Sequence, residues 1–148
     1  MPGAEQMVSY ADLSFPLPSP MVDQTVLSFV DKAEAPTTSV TVSQEALAGG
    51  KAALLRYVGA QLDEMKRGVP GYAVLRQEER GLGGVSGLHV EAAVKNATGH
   101  RVQHSLYILD EPRGRVIIAT VTAHESSSAR ARELVDGIAG GLKLGGKA

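Results

Sequence analysis

Two periodicities divide this chain. Near the N-terminus apolar residues recur at every second position. Met7, Ala11, Leu13 and Phe15 do so weakly and predict a strand at a sheet edge. Phe15-Pro16-Leu17-Pro18 then forces an extended or turning path. From Asp23 to Lys32, Thr25, Leu27 and Phe29 alternate with Val26, Ser28 and Val30. This is a strand whose second face is mildly apolar rather than charged. A face that is neither core-like nor fully solvated points to something docking there. Pro36 marks a turn between Ala33 and Thr38, and Ser39 to Ser43 alternates cleanly, with Val40 and Val42 against Ser39, Thr41 and Ser43.

Beyond Gly49-Gly50 the period becomes helical. Leu54, Leu55, Val58, Leu62 and Met65 form an apolar stripe, and Gly68 and Pro70 end it. Four segments then read as an antiparallel meander: Gly71 to Arg80, Val85 to Lys95, Arg101 to Asp110 and Arg115 to Ala123. Along Val85 to Lys95, Leu88, Val90, Ala92 and Val94 face inward. The last two segments carry apolar residues on both faces and are expected at the centre of the sheet. Gly81 to Gly84, Asn96 to Gly99 and Glu111-Pro112-Arg113-Gly114 are the turns. Ser126 to Ser128 offer N-cap hydroxyls to a second helix, with Ala131, Leu134, Val135, Ile138 and Leu142 as its apolar positions. The glycine pairs at 140–141 and 145–146 fray its end. The architecture predicted is α+β: a twisted antiparallel sheet of about six to seven strands packed with two main helices.

Composition narrows the function. A chain of 148 residues suffices for one domain with its own core, read as 1–148 with mobile ends at 1–6 and 143–148. The net charge is −1 and the basic residues are scattered, so nucleic acid and anionic membranes have no footprint. Cysteine is absent, which excludes disulfides, thiol catalysis and thiolate metal sites. Met1 to Tyr10 has no apolar stretch of the signal-peptide kind, and no apolar run spans a bilayer. A cytoplasmic location with no direct membrane insertion is expected.

Candidate chemistry is sparse. Gly81-Leu82-Gly83-Gly84-Val85-Ser86-Gly87 looks like a phosphate loop, but Ser86 stands at the third glycine of the motif and a strand follows instead of a helix. A hairpin turn accounts for it better. His89 and Glu91 share a strand face and His104 lies on the next strand, so a facial metal cluster is conceivable. The plainer reading is histidines on a partly solvated sheet face. No G-x-S-x-G elbow accompanies the serines, and Asn96-Ala97-Thr98 reads as a turn. Neither catalysis nor a cofactor is expected. What remains is the surface of small and hydroxylated side chains on the early strands. Such side chains let a partner backbone approach closely and can bond its polar groups, as they do between transmembrane helices.

Three stretches, in order, carry a family resemblance. They are Phe15-Pro16-Leu17-Pro18 with Asp23-Gln24-Thr25-Val26; Val40-Thr41-Val42-Ser43 with the helix bearing Leu54, Tyr57-Val58 and Gln61-Leu62, closing at Pro70-Gly71-Tyr72; and the pair His104-Ser105-Leu106-Tyr107-Ile108 and Ile117-Ile118-Ala119-Thr120-Val121-Thr122. From Tyr10 to Leu142 the chain resembles the DcrB-like proteins and, more closely, the Eag adaptor chaperones of type VI secretion. The resemblance implies a PsbP-like fold and a non-catalytic, cytoplasmic homodimer. Its client would be the hydrophobic N-terminal segment of a secreted effector, which it shields and helps load on the spike protein. The family's binding positions, carried over by motif, fall at Val26, Ser28, Ser39, Thr41, Ser43, Gln61 and Ser105. The chain departs from the pattern at several positions: Pro20-Met21-Val22 lacks the frequent tryptophan, Gln44 stands where an arginine often follows the serine, and Ser28 and Thr41 occupy positions that are often larger and apolar. A PsbP-like scaffold that docks a folded partner is the competing expectation.

Overall fold

The computed structural model describes residues 6–10, 13–17, 27–31, 38–82, 84–96 and 99–143. Val26, and residues 1–5 and 144–148 of the expected mobile ends, lie outside them. So do parts of three expected turns, at 33–37, 83 and 97–98.

Among the described residues eight strands and two α-helices follow in the order β1 (Gln6–Tyr10), β2 (Leu13–Leu17), β3 (Leu27–Asp31), β4 (Thr38–Ala46), α1 (Gly50–Gly68), β5 (Tyr72–Leu82), β6 (Val85–Asn96), β7 (Gly99–Asp110), β8 (Arg115–His124) and α2 (Ser128–Gly141). Strands β3 to β8 form one antiparallel sheet in the order β3-β4-β8-β7-β6-β5, and β1 and β2 pair with each other in a separate ribbon. The α+β class with a six-stranded sheet and two helices is as expected, and β7 and β8 do lie at its centre. The single edge strand expected over Met7 to Phe15 is instead two short strands paired from Gln6↔Leu17 to Tyr10↔Leu13.

The helices cover opposite faces of the sheet. Leu54, Val58 and Leu62 of α1 meet Leu88, Val90, Tyr107, Leu109 and Val116. Ala131, Val135 and Ala139 of α2 meet Leu106, Ile108, Ala119, Val121 and Ala123. Strands β7 and β8 supply both cores because alternate residues point to opposite faces. Of the expected stripe on α1, Leu54, Val58 and Leu62 are buried but Leu55 is 43% exposed; Lys66 and Arg67 in the last turn complement the helix dipole.

The serine cap expected for α2 is not made. Ser127 is its N-cap residue but no side-chain hydrogen bond caps the helix. His124 Nδ1 instead accepts from the Ser126 backbone N–H (3.2 Å) and caps a 3-10 turn, Glu125–Ser127. The Ser126 hydroxyl is drawn to the same nitrogen, 2.9 Å away, and so is lost to the helix.

Two glycines are fixed by close backbone approach. Gly71 has φ +80°, and a Cβ there would lie 1.8 Å from the Lys95 carbonyl oxygen. At Gly87 a Cβ would come within 2.8 Å of the Tyr107 carbonyl oxygen. The turn expected in the glycine-rich stretch is a tight hairpin closed by the pair Leu82↔Val85. Among the described residues no helix follows it that could face a phosphate.

A candidate partner-binding face

α1 covers only part of its side of the sheet. Beside it, toward β3, the same face is lined by hydroxyls. Strand register puts Ser28 opposite Thr41, Thr41 opposite Thr120, and Thr120 opposite Ser105. The four side chains therefore form one row across β3, β4, β8 and β7, about 14 Å long at the usual strand spacing. Next to it runs a second row, with Ser39 opposite Thr122 and Thr122 opposite Gln103. Neither row contains a charge. Within them the Ser105 and Thr120 hydroxyls lie 3.3 Å apart, and Gln103 Nε2 donates to Thr122 Oγ1 at 3.4 Å. Ser43 shares the face, opposite Ile118. Ser28 is exposed and the others are half-buried, so the surface is open but flat.

α1 forms the wall of this floor. Tyr57 donates its hydroxyl to Glu45 Oε2 at 2.8 Å and meets the Tyr107 ring edge-on, with centroids 6.3 Å apart and planes at 71°. Burial holds the Tyr57 phenol well above its ordinary pKa, and the bond to Glu45 and its charge add to the effect. Burial likewise pushes Tyr107 up to about 12, with Tyr72 adding to the rise and a hydrogen bond with Ser105 opposing it. Gln61, half-buried, follows Tyr57 by one helical turn on the same side.

The structure thus brings Ser28, Ser39, Thr41, Ser43 and Ser105 onto one face and sets Gln61 beside it. Residues that the sequence reading did not single out join them: Thr120, Thr122, Gln103 and Tyr57. The signal for Thr120 and Thr122 is their alternation with Val121, hidden because β8 reads as apolar on both faces. Tyr57 lies inside a strong helical stripe, and only tertiary packing tells that it turns toward Glu45.

The other face is open at β3 and closed over the histidines. Leu27 and Phe29, on the more apolar side of β3, are 46% and 56% exposed. α2 does not reach that edge, so β3 is open on both faces. The histidines expected on a partly solvated face are buried instead: His104 is 1% exposed and His89 6%. His89 Nε2 lies 2.9 Å from His104 Nδ1, and His89 Nδ1 lies 3.2 Å from Arg80 Nη1. A guanidinium only donates, so His89 Nδ1 accepts; its proton then sits on Nε2 and is donated to His104 Nδ1. Both rings are neutral in this arrangement. Burial lowers both pKa values, with Arg80 adding to the effect at His89. A metal reading fares poorly here, since these nitrogens are engaged and Glu91 faces Arg76 (3.6 Å) and Arg132 (3.4 Å). Among the described residues no group of three or more His, Asp or Glu is arranged to hold a metal ion.

A six-stranded antiparallel sheet between two helices is a fold shared with several solved structures. The chain matches PA94, a Pseudomonas aeruginosa protein of unknown function, with TM-score 0.76 and 18% identity, covering 98% of this chain and 100% of that one. It also matches PsbP from the cyanobacterium Synechocystis sp. PCC 6803, with TM-score 0.54, 15% identity and coverage of 95% and 92%. A third match is LpqN of Mycobacterium tuberculosis, involved in cell envelope biogenesis, with TM-score 0.53, 12% identity and coverage of 92% and 75%. At these identities the likeness is one of fold, and that fold is PsbP-like. The family is set by sequence: the DcrB profile matches residues 12–139, and the chain belongs to the DcrB family. No curated protein matches the sequence.

Proposed function

We propose that this protein is a non-catalytic adaptor that binds an apolar helix of a client protein on the hydroxyl-lined face beside α1. The observation that carries this reading is the row Ser28–Thr41–Thr120–Ser105, uncharged and open across four adjacent strands. Small side chains admit a helix backbone at close range, and their hydroxyls bond polar groups that a wholly apolar floor would leave unsatisfied. Each Å² of client apolar surface removed from water stabilises the complex by about 25 cal/mol before ordering costs. DcrB membership and the sequence resemblance support the finer form of the reading. In it the client is the hydrophobic N-terminal segment of a type VI secretion effector, and the chain acts as a cytoplasmic homodimer that helps load it on the spike protein. Among the described residues no helix is long and apolar enough to cross a membrane.

The test is co-expression with an effector N-terminal segment fused to a soluble carrier. A complex that co-purifies, and that Thr41→Asp weakens at least tenfold without unfolding the adaptor, is the expected result. An insoluble segment with no complex refutes the reading. A second reading, a scaffold that docks a folded partner, is favoured by the exposure of Leu27 and Phe29 on the opposite face. Binding that survives charging of the hydroxyl face but is lost in Phe29→Asp would select it.

A further inference from the structure

α2 is held to the sheet by two kinds of contact. Toward β8 its contacts are apolar and small, made by Ala131, Val135 and Ala139. Toward β5 and β6 they are polar: Arg132 Nη2 reaches Glu91 at 3.4 Å, and Asp136 Oδ1 pairs with Arg80 Nη2 at 3.1 Å. The helix itself is a poor one. Gly137, Gly140 and Gly141 lie within it, no side chain caps it, and no basic residue sits in its last turn. It takes no part in strand pairing, so its release leaves every described strand ladder intact. Its persistence depends on docking.

Arg80 joins that polar anchor to the buried histidines. From one guanidinium, Nη2 bonds Asp136 on α2 while Nη1 donates to His89 Nδ1, and His89 in turn donates to His104. We propose that Asp136–Arg80–His89–His104 is an acid-sensitive latch on α2. The mechanism is an exchange of partners. A proton from solvent taken up at His89 Nδ1 removes the lone pair that accepts from Arg80 and sets a cation against the guanidinium. Glu78 Oε1, 3.8 Å from the same nitrogen, then becomes the partner of the new N–H. Arg80 loses the contact that orients it toward Asp136, and the polar anchor of α2 is reduced to Arg132 on Glu91.

The charged groups around the pair are Arg76, Glu78 and Arg80 on β5, Glu91 on β6, and Arg132 and Asp136 on α2. On β8 the residue opposite His104 is Val121. Of these, Glu78, Glu91 and Asp136 favour a proton on the pair, but Glu91 is held by Arg76 and Arg132 and Asp136 by Arg80. The sign follows. Closed, the pair is neutral; open, the imidazoles titrate near the ordinary histidine value of about 6.5. The open form binds more protons, so closure is complete above that pH and weakens as pH falls below it. Release uncovers Leu106, Ile108 and Val121, extending the apolar surface that already includes Leu27 and Phe29.

Hydrogen exchange of the whole protein, with labelling times matched for intrinsic rate at pH 7.5, 6.5 and 5.5, tests the latch. Protection of residues 128–141 is expected to fall about fivefold to thirtyfold between pH 6.5 and 5.5 while β7 and β8 stay protected. In the double variant His89→Asn, His104→Asn, which keeps an acceptor and cannot titrate, that fall should vanish. Unchanged α2 protection, equal loss of protection in the central strands, or the same pH dependence in the double variant overturns the proposal. Should that variant not fold, imidazole ¹⁵N shifts of the wild type decide. Protonation of both rings near pH 6.5 with α2 still protected overturns the latch; rings that stay neutral until α2 opens uphold it.

Discussion

The two faces of β8 are the most instructive comparison in the molecule. Ala119, Val121 and Ala123 look toward α2 and are almost wholly buried. Thr120 and Thr122, between them, look toward the α1 side and stay half-open because α1 stops short of that half of the sheet. One strand, one backbone and adjacent positions thus serve a core on one side and a candidate docking floor on the other. Burial, not strand propensity, separates the roles: β-branched residues fit both, and only the presence of a covering helix decides which is worth a hydroxyl.

That contrast predicts a graded set of responses. Leu106→Ala, in the α2-side core, is expected to cost about 2–5 kcal/mol in urea denaturation. A loss below 1 kcal/mol would mean that the α2 side is loosely packed. Acid comes next. The buried histidines hold fewer protons folded than unfolded, so stability should be level above about pH 7.5 and fall below about 6.5. The fall is up to about 1.4 kcal/mol per pH unit for each histidine. Denaturant midpoints measured from pH 8 to 5 check this, and a flat profile would place the histidines in a solvated setting. Tyr57→Phe removes the bond to Glu45 at the rim of the hydroxyl floor and should cost about 0.5–1 kcal/mol. In an ultraviolet titration the Tyr107 phenol should ionise only at about pH 12, later than an ordinary tyrosine. Smallest of all, Thr41→Asp should change stability by less than about 0.5 kcal/mol, because its side chain faces an open floor. If it unfolds the protein instead, that floor is core and the comparison between the two faces collapses.

Much of this was readable in the chain. The switch from period two to period 3.6 after Gly49-Gly50 located α1, and the two-sided apolar pattern of β7 and β8 placed them at the sheet centre. The alternation from Ser39 to Ser43 marked a non-core face correctly. Other features resisted reading. The histidines gave no sign of burial, since alternation tells which residues share a face but not which helix covers it. For the same reason the alternation that sets Leu27 and Phe29 on one side of β3 does not tell that α2 leaves them exposed. The cap of α2 was misread because His124, at the end of a strand, competes with the serines for the same turn.

What the sequence determined by itself is local: helix or strand, and the side to which each residue points. Both follow from backbone geometry and need no knowledge of neighbours. The tertiary structure decided what those sides face. Ser28, Thr41, Thr120 and Ser105 are far apart in sequence and meet only because three strand registers agree, and a one-residue slip in any of them would turn a hydroxyl to the opposite face. The Asp136–Arg80–His89–His104 chain likewise exists only because α2, packed over β7 and β8, lets Asp136 reach Arg80 on β5. Register and helix placement are properties of the whole packed core, and no local pattern contains them.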